Sequence, residues 1–200
     1  MSDAAGRVRD WRPNADGWVP AARHVPSPNF DARPEGMAVD VVVLHNISLP
    51  PGQFGSDDIE AFFQNRLDAT RHPFFETIRD VRVSAHFLIR RDGEPVQFVA
   101  CTQRAWHAGQ SDYCGRQRCN DFSIGIEIEG TDDQPFTPAQ YETVAALVSA
   151  LRAAYPIQGV AGHSDIAPGR KTDPGPHFDW SRFAKQAALP PAMMPYRQAR

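Results

Sequence analysis

Seven histidines mark the 200-residue chain, and two of them, His45 and His163, stand where chemistry is easiest to place. Each closes an apolar segment, "VVVLH" at 41–45 and "VAGH" at 160–163, and each opens into a loop. Strand ends along one edge of an α/β sheet are where ligand sites form. Asp173 follows His163 by ten positions, in a loop stiffened by Pro168, Pro174 and Pro176, while Asp165 competes from only two positions away. Two neutral imidazoles and one carboxylate form a tripod that suits Zn²⁺ and leaves a fourth position for water, as in catalytic rather than structural zinc sites. No compact H-E-x-x-H run is present to fix such a site by spacing alone.

Hydrolysis at such a centre also needs a base and a second positive charge. Glu127 and Glu129 share one face of "FSIGIEIEG", whose other face is all isoleucine. A solvated sheet face is the plain reading of that pair, but Gly125 removes a side chain beside them and lets another group approach. Lys171 lies two residues before Asp173, so a metal-bound aspartate would bring the ammonium close. The chemistry this set could perform is amide hydrolysis: a metal lowers the pKa of its water to about 7, a carboxylate takes the proton, and metal and lysine stabilise the oxyanion. The remaining histidines carry less. His24 and His72 lie in proline-flanked polar stretches, His86 reads as a hydrogen-bonded structural residue, and His107 either lines a cleft or caps a turn.

The elements that must position these groups alternate between strand and helix. Residues 38–45 read as a buried strand, and "SDDIEAFFQNRL" reads as a helix capped by Ser56 or Asp57, with Ile59, Phe62, Phe63 and Leu67 on one face. "RVSAHFLIRRDGEPVQFVA" reads as a hairpin turning at Asp92-Gly93. Residues 137–156 give the clearest helix, with Thr137 and Gln140 as a capping box and Pro138 in the first turn. A short strand at 157–161 and a last helix at 179–188 complete a single α/β domain built on a mixed sheet with helices on its faces. A loose arm at 1–17 and a proline-broken tail at 189–200 are expected to flank a domain of residues 18–188.

Composition excludes several classes. A formal net charge of −3 offers no basic surface for nucleic acid or for a membrane. The longest apolar run, Met37 to Leu44, is broken by Asp40 and falls far short of the roughly 20 residues of a span. The polar start "MSDAAGRVRDWRPNADGW" has no apolar signal core, which points to the cytoplasm. Cys101, Cys114 and Cys119 lack C-x-x-C spacing and are expected to be free thiols.

Five blocks, "HNISLPPGQFG", "RVSAHFLIRRDGEPVQFV", "RAWHAG", "NDFSIGIEIEGTD" and "GHSDIAPGRKTDPGP", resemble the zinc-dependent amidase-2 and peptidoglycan-recognition-protein family over about residues 18–183. Within it the likeness is to enzymes that cleave 1,6-anhydro-N-acetylmuramyl-L-alanine peptides during cytoplasmic peptidoglycan recycling. The resemblance implies His45, His163 and Asp173 as zinc ligands, with Glu127 rather than Glu129 as base and Lys171 as its cationic partner. It further implies Asn46, Arg82, Trp106 and Arg118 as substrate contacts, the arginines as forks for peptide carboxylates and the tryptophan as a sugar platform. One Zn²⁺ per chain, a small muropeptide substrate and a monomer are the corresponding expectations. His177, four positions after Asp173, departs from the family pattern and is a further imidazole that could reach the same ion in some resting form. Competing readings are a non-catalytic peptidoglycan-binding module of this fold, an exported amidase acting on intact wall, and a general zinc peptidase.

Overall fold

The computed structural model describes residues 10–197. Its strands in chain order are β1 (Arg23–His24), β2 (Phe30–Asp31), β3 (Val41–Ile47), β4 (Phe87–Ile89), β5 (Pro95–Gln97), β6 (Arg104–Ala105), β7 (Asp112–Tyr113), β8 (Arg116–Gln117), β9 (Ser123–Glu129) and β10 (Gly159–Gly162). Six of them form the central sheet in the order β1-β5-β4-β9-β3-β10, and β2-β6 and β7-β8 are separate two-stranded ribbons. The β3, β4, β9 and β10 neighbours run parallel, while β4-β5 is the antiparallel hairpin. Gly93, at φ +86°, supplies the left-handed residue of that hairpin's turn. The sheet is therefore mixed, as expected, in a single α/β domain.

Helices α1 (Asp58–Phe63), α2 (Pro73–Ile78), α3 (Pro138–Ala154), α4 (His163–Ile166) and α5 (Trp180–Gln186) surround the sheet. The longest, α3, has the predicted capping box: the Thr137 hydroxyl accepts from the Gln140 N–H, and the Gln140 side chain accepts from the Thr137 N–H. Its Val144, Leu147, Val148 and Leu151 are fully buried with Val42, Leu44, Ile124, Ile126 and Ile128 in one core. Burying side chains of this size contributes about 1.5–3 kcal/mol each, so this layer anchors the two central strands. The opposite face is covered by two smaller clusters, around Phe63, Phe75 and Phe98 and around Val43, Ala161 and Ile166. Every residue of β9 is buried, so Glu127 and Glu129 do not lie on a solvated face.

Several boundaries differ from the sequence reading. Helix α1 stops at Phe63 because Asn65 turns left-handed at φ 59°, which leaves Leu67 outside it. Residues 10–17 are tied in: Ala21 N donates to Asp10 O, Cys101 N donates to Gly17 O, and Trp11 packs on the main core. The expected loose tail is likewise engaged, since Leu189, Met193 and Met194 are buried in that core and Arg197 pairs with Asp165 at 2.8 Å. The apolar residues between the prolines supply the reason: the tail has surface to bury. Residues 1–9 and 198–200 of the arm and tail lie outside the described residues.

His86, immediately before β4, is the hydrogen-bonded structural histidine that the sequence suggested. It is fully buried; its Nδ1 accepts from Gly125 N at 3.0 Å, and its Nε2 donates to Gln103 O at 3.1 Å. Burial, and secondarily the Arg33 charge, lower its pKa to about 3. The unfolded chain, with a histidine pKa near 6.5, therefore binds one more proton than the native state between those values, and stability falls as pH drops through that window. Relative to a His86→Gln variant, the wild type should lose about 2 kcal/mol more between pH 6.5 and 4.5. Urea unfolding at several pH values measures this, and parallel curves would refute it.

Candidate metal centre and cleft

The central strand pair fixes the first two groups. In the parallel β3-β9 ladder His45 is paired in register with Glu127, so both side chains leave the sheet on the same face. β10 runs beside β3 and delivers His163 at the first residue of α4. The loop after α4 then returns, its Asp173 carbonyl accepting from Ser164 N at 2.8 Å. In consequence His45 Nδ1, His163 Nδ1 and Asp173 Oδ2 form a triangle with sides of 2.9, 3.1 and 3.1 Å.

That triangle fits a metal ion. With bonds of about 2.0–2.1 Å, the ligand–ligand edge of a tetrahedral zinc site is roughly 3.3 Å, close to the spacing seen. The donor set is also chemically apt. Burial, followed by the neighbouring His163, lowers the His45 pKa to about 4, so its imidazole is neutral and can ligate. Burial pushes the Asp173 carboxyl up, but the bonds from His163 and His45 outweigh this and hold it below the usual carboxylate range. Among the described residues these three are the group able to hold a metal. Asp165 is occupied elsewhere, accepting from Gly162 N at 2.8 Å and pairing with Arg197. His177 is exposed and outside the cluster.

Glu127 lies beside the triangle, its Oε1 4.0 Å from His45 Nδ1. Its Oε2 is buried without a hydrogen-bond partner. Burial, then the Asp173 charge, raises its pKa well above the carboxylate norm, and Lys171 opposes this only in part. Such a perturbed, unpaired acid in a cleft marks a functional site. Glu129 is different: its two oxygens accept from Gly55 N at 2.6 Å and Arg91 N at 2.9 Å, which gives it a structural task. Lys171 lines the same cleft of about 270 Å³ as His45, Glu127, His163, Asp173 and Trp106.

The other expected contacts are scattered. Asn46 borders the cleft, but its amide donates to Asp132 Oδ1 at 2.7 Å and Pro174 O at 3.1 Å, so it braces the metal loop. Arg82 is exposed, its guanidinium donating to Arg79 O and Val81 O. Arg118 pairs with Asp121 at 3.1 Å and lines a second cavity of about 400 Å³ with Arg170. Arg170 reaches back to Ala108 O at 2.7 Å, behind His163.

Of the groups that hold His45 and His163, the sequence offered His107 as lining a cleft, which it does, and overlooked Ser123, Ala108 and Asn120. His107 Nδ1 lies 3.0 Å from His45 Nε2, and Ser123 Oγ lies 3.1 Å from His107 Nε2. The Ala108 carbonyl accepts from His163 Nε2 at 3.1 Å, and the Asn120 carboxamide fixes the backbone of 107 and 108 at 3.2 and 2.8 Å. Gly125 was the available signal. The group approaching it is the His107 ring, with which any Cβ at 125 would collide.

Comparisons with known proteins place the chain. Residues 35–176 match the family described as N-acetylmuramoyl-L-alanine amidase. The chain belongs to that family. Among amidases it is 58% identical over 169 residues to the 1,6-anhydro-N-acetylmuramyl-L-alanine amidase AmpD of Escherichia coli (strain K12), covering 84% of this chain and 92% of that protein. The AmpD of Haemophilus influenzae is 48% identical over 170 residues, covering 84% and 92%. A crystal structure of a selenomethionine AmpD derivative superposes with a TM-score of 0.84 at 56% identity, covering 86% of this chain and 97% of that one. The amidase AmiD from E. coli, solved with anhydro-N-acetylmuramic acid-L-Ala-D-γ-Glu-L-Lys, superposes at 0.55 with 31% identity, covering 77% and 60%.

Proposed function

We propose that residues 18–188 form a zinc-dependent amidase that hydrolyses the bond between the lactyl group of 1,6-anhydro-N-acetylmuramic acid and L-alanine, in cytoplasmic peptidoglycan recycling. The observation that carries the reading is the convergence of His45, His163 and Asp173 beside the unpaired, buried Glu127. Relatives named for this activity support the substrate. No helix among the described residues is long and apolar enough to cross a membrane.

His45, His163 and Asp173 would hold the ion. Zinc, when bound, polarises the substrate carbonyl and lowers the pKa of a water to about 7. Glu127 takes the water's proton as the oxygen attacks the carbonyl carbon, and its raised pKa lets it keep that proton until the amine leaves. Lys171, on the cleft wall, presents positive charge to the carbonyl oxygen as it becomes anionic. Glu127 then returns the proton to the leaving nitrogen of L-alanine. Trp106 offers a flat apolar face to the sugar. Asn46 acts through the metal loop, and Arg82 and Arg118 offer guanidinium forks to peptide carboxylates outside the central cleft.

Incubation of the purified protein with 1,6-anhydromuropeptide, with products separated by mass, tests the reading. The expected products are 1,6-anhydro-N-acetylmuramic acid and the free peptide, with release abolished by chelation and restored by zinc. Full activity in metal-free protein would sink the mechanism. Cleavage of intact sacculi alone would sink the recycling role.

A further inference from the structure

Behind the metal-facing side of His45 runs a chain of hydrogen bonds whose direction can be deduced. The Cys119 carbonyl can only accept, so the Ser123 hydroxyl, 2.5 Å away, donates to it. With its proton committed, Ser123 Oγ must accept from His107 Nε2 at 3.1 Å. A neutral imidazole carries one N–H, so His107 Nδ1 is the acceptor. It takes a hydrogen bond from His45 Nε2–H at 3.0 Å. The proton of His45 is thereby held on Nε2, and the bare lone pair of Nδ1 points at His163 and Asp173. His163 reaches the same state more simply, its Nε2 donating to the Ala108 carbonyl.

We propose that His107 and Ser123 are positioning residues that lock His45 in the tautomer able to bind the metal, and that Gly125 exists to admit the His107 ring. The inference rests on the metal reading above, but concerns different residues. A histidine is an unusual partner for this task because it can run either way. Where a carbonyl or carboxylate can only accept, His107 could equally donate from Nδ1 and force the His45 proton onto the metal-binding nitrogen. Ser123 prevents this by being anchored to Cys119. The whole relay is buried, with Ser123 fully enclosed and His107 8% exposed, so water does not substitute for either partner. Strand β9 therefore serves the centre twice, with Glu127 at the cleft and Ser123 two turns of the pleat behind it. Removing an outer partner of a metal-bound histidine ordinarily weakens binding about 10–100-fold, and a comparable loss is expected here.

Zinc affinity by competition with a chromophoric chelator, together with ¹⁵N spectra of the ring nitrogens, tests the relay. In the zinc-loaded wild type, His107 should carry its proton on Nε2, with a scalar coupling across the His45 Nε2–H···Nδ1 bond. Ser123→Ala and His107→Leu should each bind zinc about 10–100-fold more weakly. His107→Asn, which keeps an acceptor near the Nδ1 position, should recover most of the loss. The proposal is overturned if His107 of the zinc-loaded wild type is protonated on Nδ1, a result independent of any variant's folding. It is also overturned if folded Ser123→Ala and His107→Leu proteins both bind zinc within twofold of the wild type. Failure of the wild type to bind zinc at all would instead refute the metal reading.

Discussion

A Glu127→Gln enzyme should bind zinc as the wild type does and turn over about 10²–10⁴-fold more slowly. The carboxamide is isosteric but cannot accept the water's proton, and Glu127 Oε1 stands 4.0 Å from His45 Nδ1. The loss should fall on kcat, because in the proposed mechanism the glutamate acts on water and leaving group rather than on the resting substrate. Stability should be unchanged or higher, since the substitution removes an acid whose buried oxygen has no partner. Steady-state kinetics, metal analysis and a thermal melt on one preparation separate these outcomes. Near-normal turnover with zinc retained would remove Glu127 from the base role and leave the metal centre standing.

Loss of a ligand should be more severe still. His45→Ala leaves two donors of three and Asp173→Asn replaces the anionic donor by a neutral carboxamide, and zinc content should fall from one per chain to a small fraction after gel filtration, with hydrolysis at background. Asp173→Asn is the more telling change, because it preserves shape and withdraws only the charge that balances the cation. Asp165→Asn is the control: that carboxylate is committed to Gly162 N and Arg197, so its loss should cost some stability and no zinc. Elemental analysis decides the matter. If Asp165→Asn lost the metal while Asp173→Asn kept it, the ligand set would have to be redrawn.

Much of this arrangement is written in local sequence. The branched run ending at His45, the isoleucine alternation of β9 and the capping box of α3 are periodic or local signals, and each corresponds to an observed element. What periodicity does not carry is anything decided by partners distant in the chain. Glu127 and Glu129 are equivalent by pattern; only the Gly55 and Arg91 amides, 74 and 38 residues away, distinguish them. Asp165 and Asp173 are separated in the same way, by Arg197. The tail looked loose because prolines break its periodicity, yet Met193 and Met194 find a core formed by residues far upstream. His107 stood in a loop of ambiguous role, and its task depends on β3 and β9 lying together beneath it.

The in-register pairing of His45 with Glu127 has a consequence for how such enzymes diversify. Neighbouring strands sit about 4.8 Å apart, and that spacing, rather than any loop, sets the separation of His45 and Glu127. Two adjacent rungs of a parallel ladder act as a ruler made of backbone hydrogen bonds, sealed on one side by α3. Insertions or rearrangements in the surrounding loops can reshape what the cleft admits without changing the separation of His45 from Glu127. The spacing of His45 and Glu127 is thus held on a part of the chain mechanically separate from the loops that shape the cleft, and those loops can drift while it stays still.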